Sequence, residues 1–274
     1  MSAELRRRVA SAAALVALAV AATWAGGAWF ALLWLLAGAL TFREWLAMVE
    51  GRAGAPLLIV GAATLAASAI LVLDDREAFA ALALALGAAL AGGLARRRLW
   101  VALGLAYAGV IALVPDWLRL SISGGVTAVV WLFAVVWATD ILAFFGGRRL
   151  GGPKLAPAIS PNKTWAGFWC GLAGGTLVGL LALAVPPALG QVPFLPASSW
   201  AGVAASLGGS VVVQIGDLFE SWMKRRFGLK DSGALIPGHG GLMDRLDGFA
   251  ALCAAVALVG AAAHALGFAQ ATAP

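Results

Sequence analysis

The chain has 274 residues, 62% of them hydrophobic and only 12% charged, with a mean hydropathy of +0.93. Soluble domains run near 45–50% apolar and about 25% charged, so water is excluded as the solvent for most of this surface. The formal net charge of +6 calls for no nucleic-acid partner, because the basic residues are spaced as membrane topology spaces them, with some attraction to anionic lipid heads.

Only helices and closed β-barrels pair all their backbone groups inside a bilayer. Barrel strands would alternate apolar and polar residues over roughly ten positions, whereas the runs here are continuously apolar and rich in the helix formers Ala and Leu. The expected fold is therefore all-α, a polytopic integral membrane protein with about nine transmembrane helices. In chain order the candidate spans are Val9–Ala25, Ala28–Leu46, Ala55–Leu73, Ala78–Leu94, Leu99–Val114, Val126–Phe145, Trp165–Val185, Trp200–Phe219 and Phe249–Phe268. The second has the weakest apolar pattern, since its strictly apolar part stops before Arg43 and Glu44.

Placing the N-terminus in the cytoplasm puts 17 of the 19 basic residues in inside segments, leaving only Arg76 and Arg119 outside. That asymmetry favours nine spans with an outside C-terminus. The opening "RRRVASAAALVALAV" has the order of a signal peptide, but eight further spans favour an uncleaved first helix. Cys170 and Cys253 lie within apolar runs without metal-binding spacing and are read as small core residues. No segment between spans is long enough to form a soluble core, and the "NKT" sequon at Asn162 falls in an inside loop. The expected division is an N-terminal set of about five transmembrane helices, residues 1–120, and a C-terminal transmembrane catalytic region, residues 121–274.

The stretch from Ser221 to Gly248, "SWMKRRFGLKDSGALIPGHGGLMDRLDG", departs from this pattern: its 28 residues hold 8 of the 32 charged ones and one of the two histidines. Acids also stand where lipid is expected. Asp140 ends the sixth span, Asp217 and Glu220 end the eighth, and Asp244 and Asp247 open the ninth. A charge at the bilayer centre costs about 2.5–3.5 kcal/mol on insertion scales, so such residues point to function. Ser210, Gln214, Asp217 and Ser221 share one helical face, and Asp244 and Asp247 share another. Clustered carboxylates beside a basic loop suit a hard divalent cation, Mg²⁺ above all, whose shell substrate phosphates complete. Lys224, Arg225, Arg226, Lys230 and Arg245 surround "IPGHGG", whose glycines allow close approach of backbone N–H groups to an anion. Neither GxxxxGK[ST] nor GxGxxG occurs. For Glu220, Asp231 and Arg226 the plainer reading is pairing that anchors helix ends.

At these residues the sequence resembles the phosphatidate cytidylyltransferase (CDP-diacylglycerol synthase) family. The signature stands as Ser221, Lys224, Arg225, Lys230, Asp231, His239, Gly240, Gly241, Asp244, Arg245 and Asp247. A second block, "TDILAFFGGRRLGGPKLAPAISPNKTWAG", is similar to the family's Ser-Pro-Lys-Lys-Thr stretch, with Asn162 where lysine is usual and Ala166 where glutamate is common. The motif-bearing resemblance covers Thr139 to Gly248.

The resemblance implies that CTP and phosphatidic acid give CDP-diacylglycerol and pyrophosphate, a step of phospholipid biosynthesis. It implies Asp217, Asp244, Asp247 and Asp140 as catalytic residues, with Mg²⁺ on Asp217 and Asp244 and a second cation or a basic partner at Asp140. Ser160, Lys163, Thr164, Ser221, Lys224, Arg225, Lys230, His239 and Arg245 would bind the substrates, His239 as a phosphate donor or as a turn residue. His264 is read as structural, and Trp165 and Trp222 flank the site as candidates to stack on cytosine. The attacking lipid phosphate is already anionic, so no general base is needed. A homodimer, a bacterial inner membrane and a site facing the cytoplasm complete the expectation. A CTP-dependent polyprenol or phytol kinase shares the nucleotide chemistry, but the uninterrupted "KDSGALIPGHGGLMDRLD" favours cytidylyl transfer. A transporter relaying through Asp140, Asp217 and Asp244 would place them near the midplane, not at one face.

Overall fold

The computed structural model describes residues 3–188, 195–233, 235–236 and 240–266. Nine helices follow one another among them. They are α1 (Ala3–Ala25), α2 (Gly27–Glu50), α3 (Ala55–Leu73), α4 (Glu77–Leu94), α5 (Arg98–Ser121), α6 (Gly125–Leu150), α7 (Trp165–Ala188), α8 (Trp200–Arg226) and α9 (Met243–Ala265). The last eight are long and apolar enough to cross a membrane, while the apolar part of α1, Ala13–Ala25, is shorter. Each expected span falls on one of these helices, the end of the ninth, 267–268, lying outside the described residues, and the architecture is that of an all-α polytopic membrane protein.

Five helices run past their expected ends, α2, α5, α6, α7 and α8. The second continues through Arg43 and Glu44 to Glu50 and stops at Gly51, whose φ of 79° is the left-handed closure that glycine adopts without a Cβ penalty. In α5 the helix passes through Pro115 to Ser121. Pro115 brings no N–H to the ladder, but in a membrane helix neighbouring groups can satisfy the carbonyl it frees. The eighth runs on to Arg226, so Ser221, Lys224 and Arg225 are helical residues and not part of a loop.

By Cα packing the chain forms two compact units. One comprises Met1–Trp117 with Arg226–Leu246, the other Leu118–Arg225 with Asp247–Pro274. The signature stretch is divided between them.

On α4 of the first unit, small side chains face inward and large ones outward. On α4, Ala80, Gly87, Ala88 and Ala91 are buried, while Phe79, Leu82, Leu86, Leu90 and Leu94 are exposed. This inverts the soluble pattern, because lipid solvates Leu as well as protein does and close packing of small residues holds the helices together. The Trp45 indole fills the space that a Cβ on Gly104 would need, and its Nε1 donates to the Trp100 carbonyl at 2.8 Å.

The second unit uses the same device and adds hydroxyls. Glycines 167, 171, 175 and 179 line one side of α7, and a Cβ on any of them would press on α6, through the Ala143 carbonyl, Ala143, Thr139 and Val135. Thr139 and Ser210 share a hydrogen bond of 2.8 Å, and Ser210 Oγ donates to the Gly171 carbonyl at 3.1 Å. Trp131 Nε1 donates to Ser206 Oγ at 3.0 Å. These side-chain bonds tie α6, α7 and α8 together where water is absent to compete.

Candidate active site

The segment after α6 folds back as a two-stranded antiparallel hairpin, β1 (Lys154–Ala156) and β2 (Ser160–Thr164), with Lys154 opposite Thr164 and Ala156 opposite Ser160. The sequence reading contained no strand here. The hairpin carries Ser160, Lys163 and Thr164, the three expected donors of the second motif block. Thr164 is buried, and its Oγ1 accepts the Gly167 N–H at 3.1 Å, so the hydroxyl caps the first turn of α7. Lys163, half-buried, extends from the same strand to form an ion pair with Asp217 of α8.

Asp217 stands beside a close approach of α8 and α9. A Cβ on Gly216 would lie 2.5 Å from the Ala251 Cβ and 2.7 Å from the Asp247 carbonyl, and one on Gly248 would lie 2.8 Å from Val213 Cγ1. Two glycines thus let the backbones touch beside the acids they precede or follow. Asp247 Oδ1 accepts its neighbour's N–H, from Gly248, at 2.8 Å. The charges that act on Asp247 are Asp217, Asp140 and Lys163. Asp140 of α6, Lys163 of β2 and Asp217 of α8 thus all bear electrostatically on Asp247 of α9.

The polar face expected on α8 divides by role. Ser210 and Gln214 are buried and bond to α6 and α7, Gln214 Nε2 donating to the Phe168 carbonyl at 3.4 Å. Further along, Glu220 is buried and pairs with Lys224 one turn on at 2.7 Å. Glu220 thus has the anchoring role of the plainer reading, and Lys224, expected to grip phosphate, lies against it here. Ser221 is half-buried and Arg225 exposed on the same helix end.

In the first unit the segment from Arg226 to Leu246 is fastened by aromatic and carboxylate contacts. The Phe227 ring sits edge-on to Trp100 at 5.4 Å, with the Arg97 guanidinium 5.0 Å from its centroid. Beyond the exposed Lys230 and Asp231, the chain turns through a bridge in which Ile236 N–H donates to the Gly240 carbonyl at 2.9 Å. Gly240 has φ of +84°, and a Cβ there would stand 2.8 Å from Asp244 Oδ2. Asp244, in the first turn of α9, accepts the Gly241 N–H at 2.9 Å and the Ser232 N–H at 3.2 Å. Its neighbour Arg245 is exposed. His239 lies outside the described residues.

Opposite Asp244 a second carboxylate grips the same segment. Glu44 of α2, only 3% exposed, accepts the Met243 N–H at 2.8 Å and the Leu242 N–H at 3.0 Å, with Ser232 Oγ at 3.5 Å. The sequence reading used Glu44 only as an interruption of the second span. An acid inside an otherwise apolar helix was the signal available. Within "IPGHGG", expected to turn backbone N–H groups to an anion, those of Ile236 and Gly241 have partners inside the protein, as do three N–H groups on either side of it. Those of Ser232, Ile236, Gly241, Leu242 and Met243 go to Asp244, Glu44 and the Gly240 carbonyl.

Comparison with known proteins agrees with these motifs. The cytidylyltransferase family model matches residues 6–262. This chain belongs to the cytidylyltransferase family. A phosphatidate cytidylyltransferase of Brucella abortus is 43% identical over 264 residues, 94% of this chain and 93% of the relative. One from Staphylococcus epidermidis is 42% identical over 127 residues, 46% of each chain. Another, from Rickettsia bellii, is 43% identical over 115 residues, 42% of this chain and 49% of the relative.

For this cytidylyltransferase-family site the donors suit a hard cation. No cluster of three or more His, Cys, Asp or Glu able to hold a metal occurs among the described residues. Mg²⁺ nonetheless requires only one or two carboxylates when phosphates and water complete its shell. Asp217 already attracts a cationic partner in Lys163.

Proposed function

We propose that this chain transfers CMP from CTP to phosphatidate, yielding CDP-diacylglycerol and pyrophosphate in the phospholipid biosynthesis of a bacterial inner membrane. The observation that carries this reading is the likeness over 94% of the chain to a relative named phosphatidate cytidylyltransferase. The grouping of Lys163 with Asp140, Asp217 and Asp247 supports it. So does the basic asymmetry of the loops, which favours a cytoplasmic site.

The lipid phosphate, anionic near neutral pH, supplies the attacking oxygen, and the bond between the α-phosphate and pyrophosphate breaks. A divalent cation, expected to be Mg²⁺, would act when bound as a Lewis acid toward the α-phosphate and the departing charge. Asp217 is the ligand best placed for it, with Asp140 and Asp247 beside it. Asp244 is the second ligand that the resemblance implies. Lys163 is held at the acid group and would pass from Asp217 to a phosphate oxygen as substrate arrives. Arg225, Lys230 and Arg245, all exposed, contribute fixed positive charge for the triphosphate and the lipid phosphate. Lys224 would join them only by leaving Glu220. Assembly as a homodimer belongs to the same reading.

Purified protein in detergent, given phosphatidate, Mg²⁺ and CTP labelled at the α-phosphate, should move label into lipid and release pyrophosphate. With CTP labelled at the γ-phosphate instead, label passing to an added alcohol such as phytol, while none passes from the α-phosphate to lipid, would sink the reading in favour of a lipid kinase.

A further inference from the structure

The start of α9 carries Asp244, Arg245 and, one turn later, Asp247. A helix start presents N–H groups that no residue of the helix can satisfy, and a side chain or a ligand must take them. Here Asp244 takes the Gly241 N–H, while those of Leu242 and Met243 go to Glu44, on a helix about two hundred residues earlier in the chain. A capping acceptor usually comes from the residue just before the helix. Leu242 has no side-chain acceptor, so the cap is supplied from elsewhere.

We propose that Glu44 is a positioning residue for the cytidylyl-transfer reaction, capping α9 from α2 so that Asp244 and Arg245 keep their register; the role in turnover rests on the function proposed above. Two further observations agree. A Cβ on Gly233 would lie 2.7 Å from Glu44 Oε1, and one on Gly241 would lie 2.8 Å from Glu44 Oε2 and nearer still to Ser232 Oγ. The glycines on both sides of the loop are thus fitted to this carboxylate. Arg43, the next residue, is exposed, whereas Glu44 is buried against the loop. The helix terminus also favours a negative group at this place.

Glu44→Gln has the discriminating shape. A glutamine keeps the volume and one acceptor oxygen, but its amide nitrogen would face a backbone N–H, donor against donor. In the purified full-length protein kcat should fall roughly tenfold or more, since small displacements of reacting groups cost that much. KM for CTP should rise severalfold as Arg245 leaves its place, with KM for phosphatidate unchanged. A simple loss of folded protein would lower the apparent kcat and leave both KM values alone. Glu44→Gln with wild-type kcat and KM overturns the proposal. So does a fall in kcat without a change in KM.

Hydrogen exchange at Leu242 and Met243 keeps the cap separate from the reaction. Both amides should exchange roughly tenfold faster or more in Glu44→Gln, while the rest of α9 keeps its protection. Unchanged exchange there overturns the cap. If the wild-type protein transfers no CMP, the cytidylyl-transfer reading and the positioning role fail together, and the exchange result still decides the cap.

Discussion

The Lys163 ammonium lies against the Asp217 carboxylate, joining β2 to α8 within one unit of the protein. The pair explains how an acid is tolerated at the end of an apolar helix: a charge without a partner there costs several kcal/mol. It also sets the cationic residue of the second motif block on an acid one turn ahead of the signature.

Asp217→Asn should therefore reduce CMP transfer by on the order of 10²-fold or more. A second readout frees the test from turnover: Mn²⁺ used as a probe, followed by electron paramagnetic resonance, should bind the wild-type protein and bind this variant much more weakly. Equal Mn²⁺ binding would remove Asp217 from the ligand set.

Glu220 and Lys224 should respond asymmetrically. Lys224 can extend its ammonium toward the polar boundary when its partner is gone, but Glu220 is buried and cannot follow. Glu220→Gln should leave activity within a few-fold of wild type. Lys224→Met should lower stability more than Glu220→Gln does, because it takes a cationic partner from a buried carboxylate. Thermal unfolding in detergent compares the two, and equal midpoints would contradict the asymmetry.

Gly216→Ala tests the close approach of α8 and α9. Its methyl would meet the Ala251 Cβ and the Asp247 carbonyl at sub-contact distances, forcing the helices apart at a cost of about 1–3 kcal/mol. Activity should fall with stability, because Asp217 and Asp247 are parted by the same movement. Gly208, where a Cβ meets nothing within 4 Å, is the control, and Gly208→Ala should be close to neutral.

Thr164→Ala should remove the cap of α7, lowering stability by about 1 kcal/mol, and Thr164→Ser should restore it. KM for both substrates should stay unchanged if the hydroxyl only caps the helix. A raised KM in the alanine variant that serine rescues would instead assign it to substrate as well.

The proposed cytoplasmic orientation predicts which side of the membrane reaches Arg149, an exposed residue at the end of α6. A cysteine placed there, with Cys170 and Cys253 replaced by alanine, should react with an impermeant maleimide in inside-out vesicles. Labelling in intact spheroplasts would reverse the topology.

The membrane class and the positions of all nine helices were legible in the sequence, because both depend on local hydropathy. A run such as Ala55–Leu73 must close its own backbone hydrogen bonds in lipid whatever surrounds it. The motif residues were legible too, as charges that an apolar chain keeps at a cost. Partners were not. Hydropathy placed Glu44 in the second span, and only the folded chain brings it to Leu242 and Met243. It likewise turns Thr164 into a helix cap, spends Ser210 and Gln214 on helix contacts, and sets Lys163 on Asp217. Spacing along a helix specifies which side chains share a face, but a hydrogen bond requires atoms within about 3 Å. Residues far apart in the chain meet at that distance only when the packing of glycine against its neighbours has fixed where each helix lies.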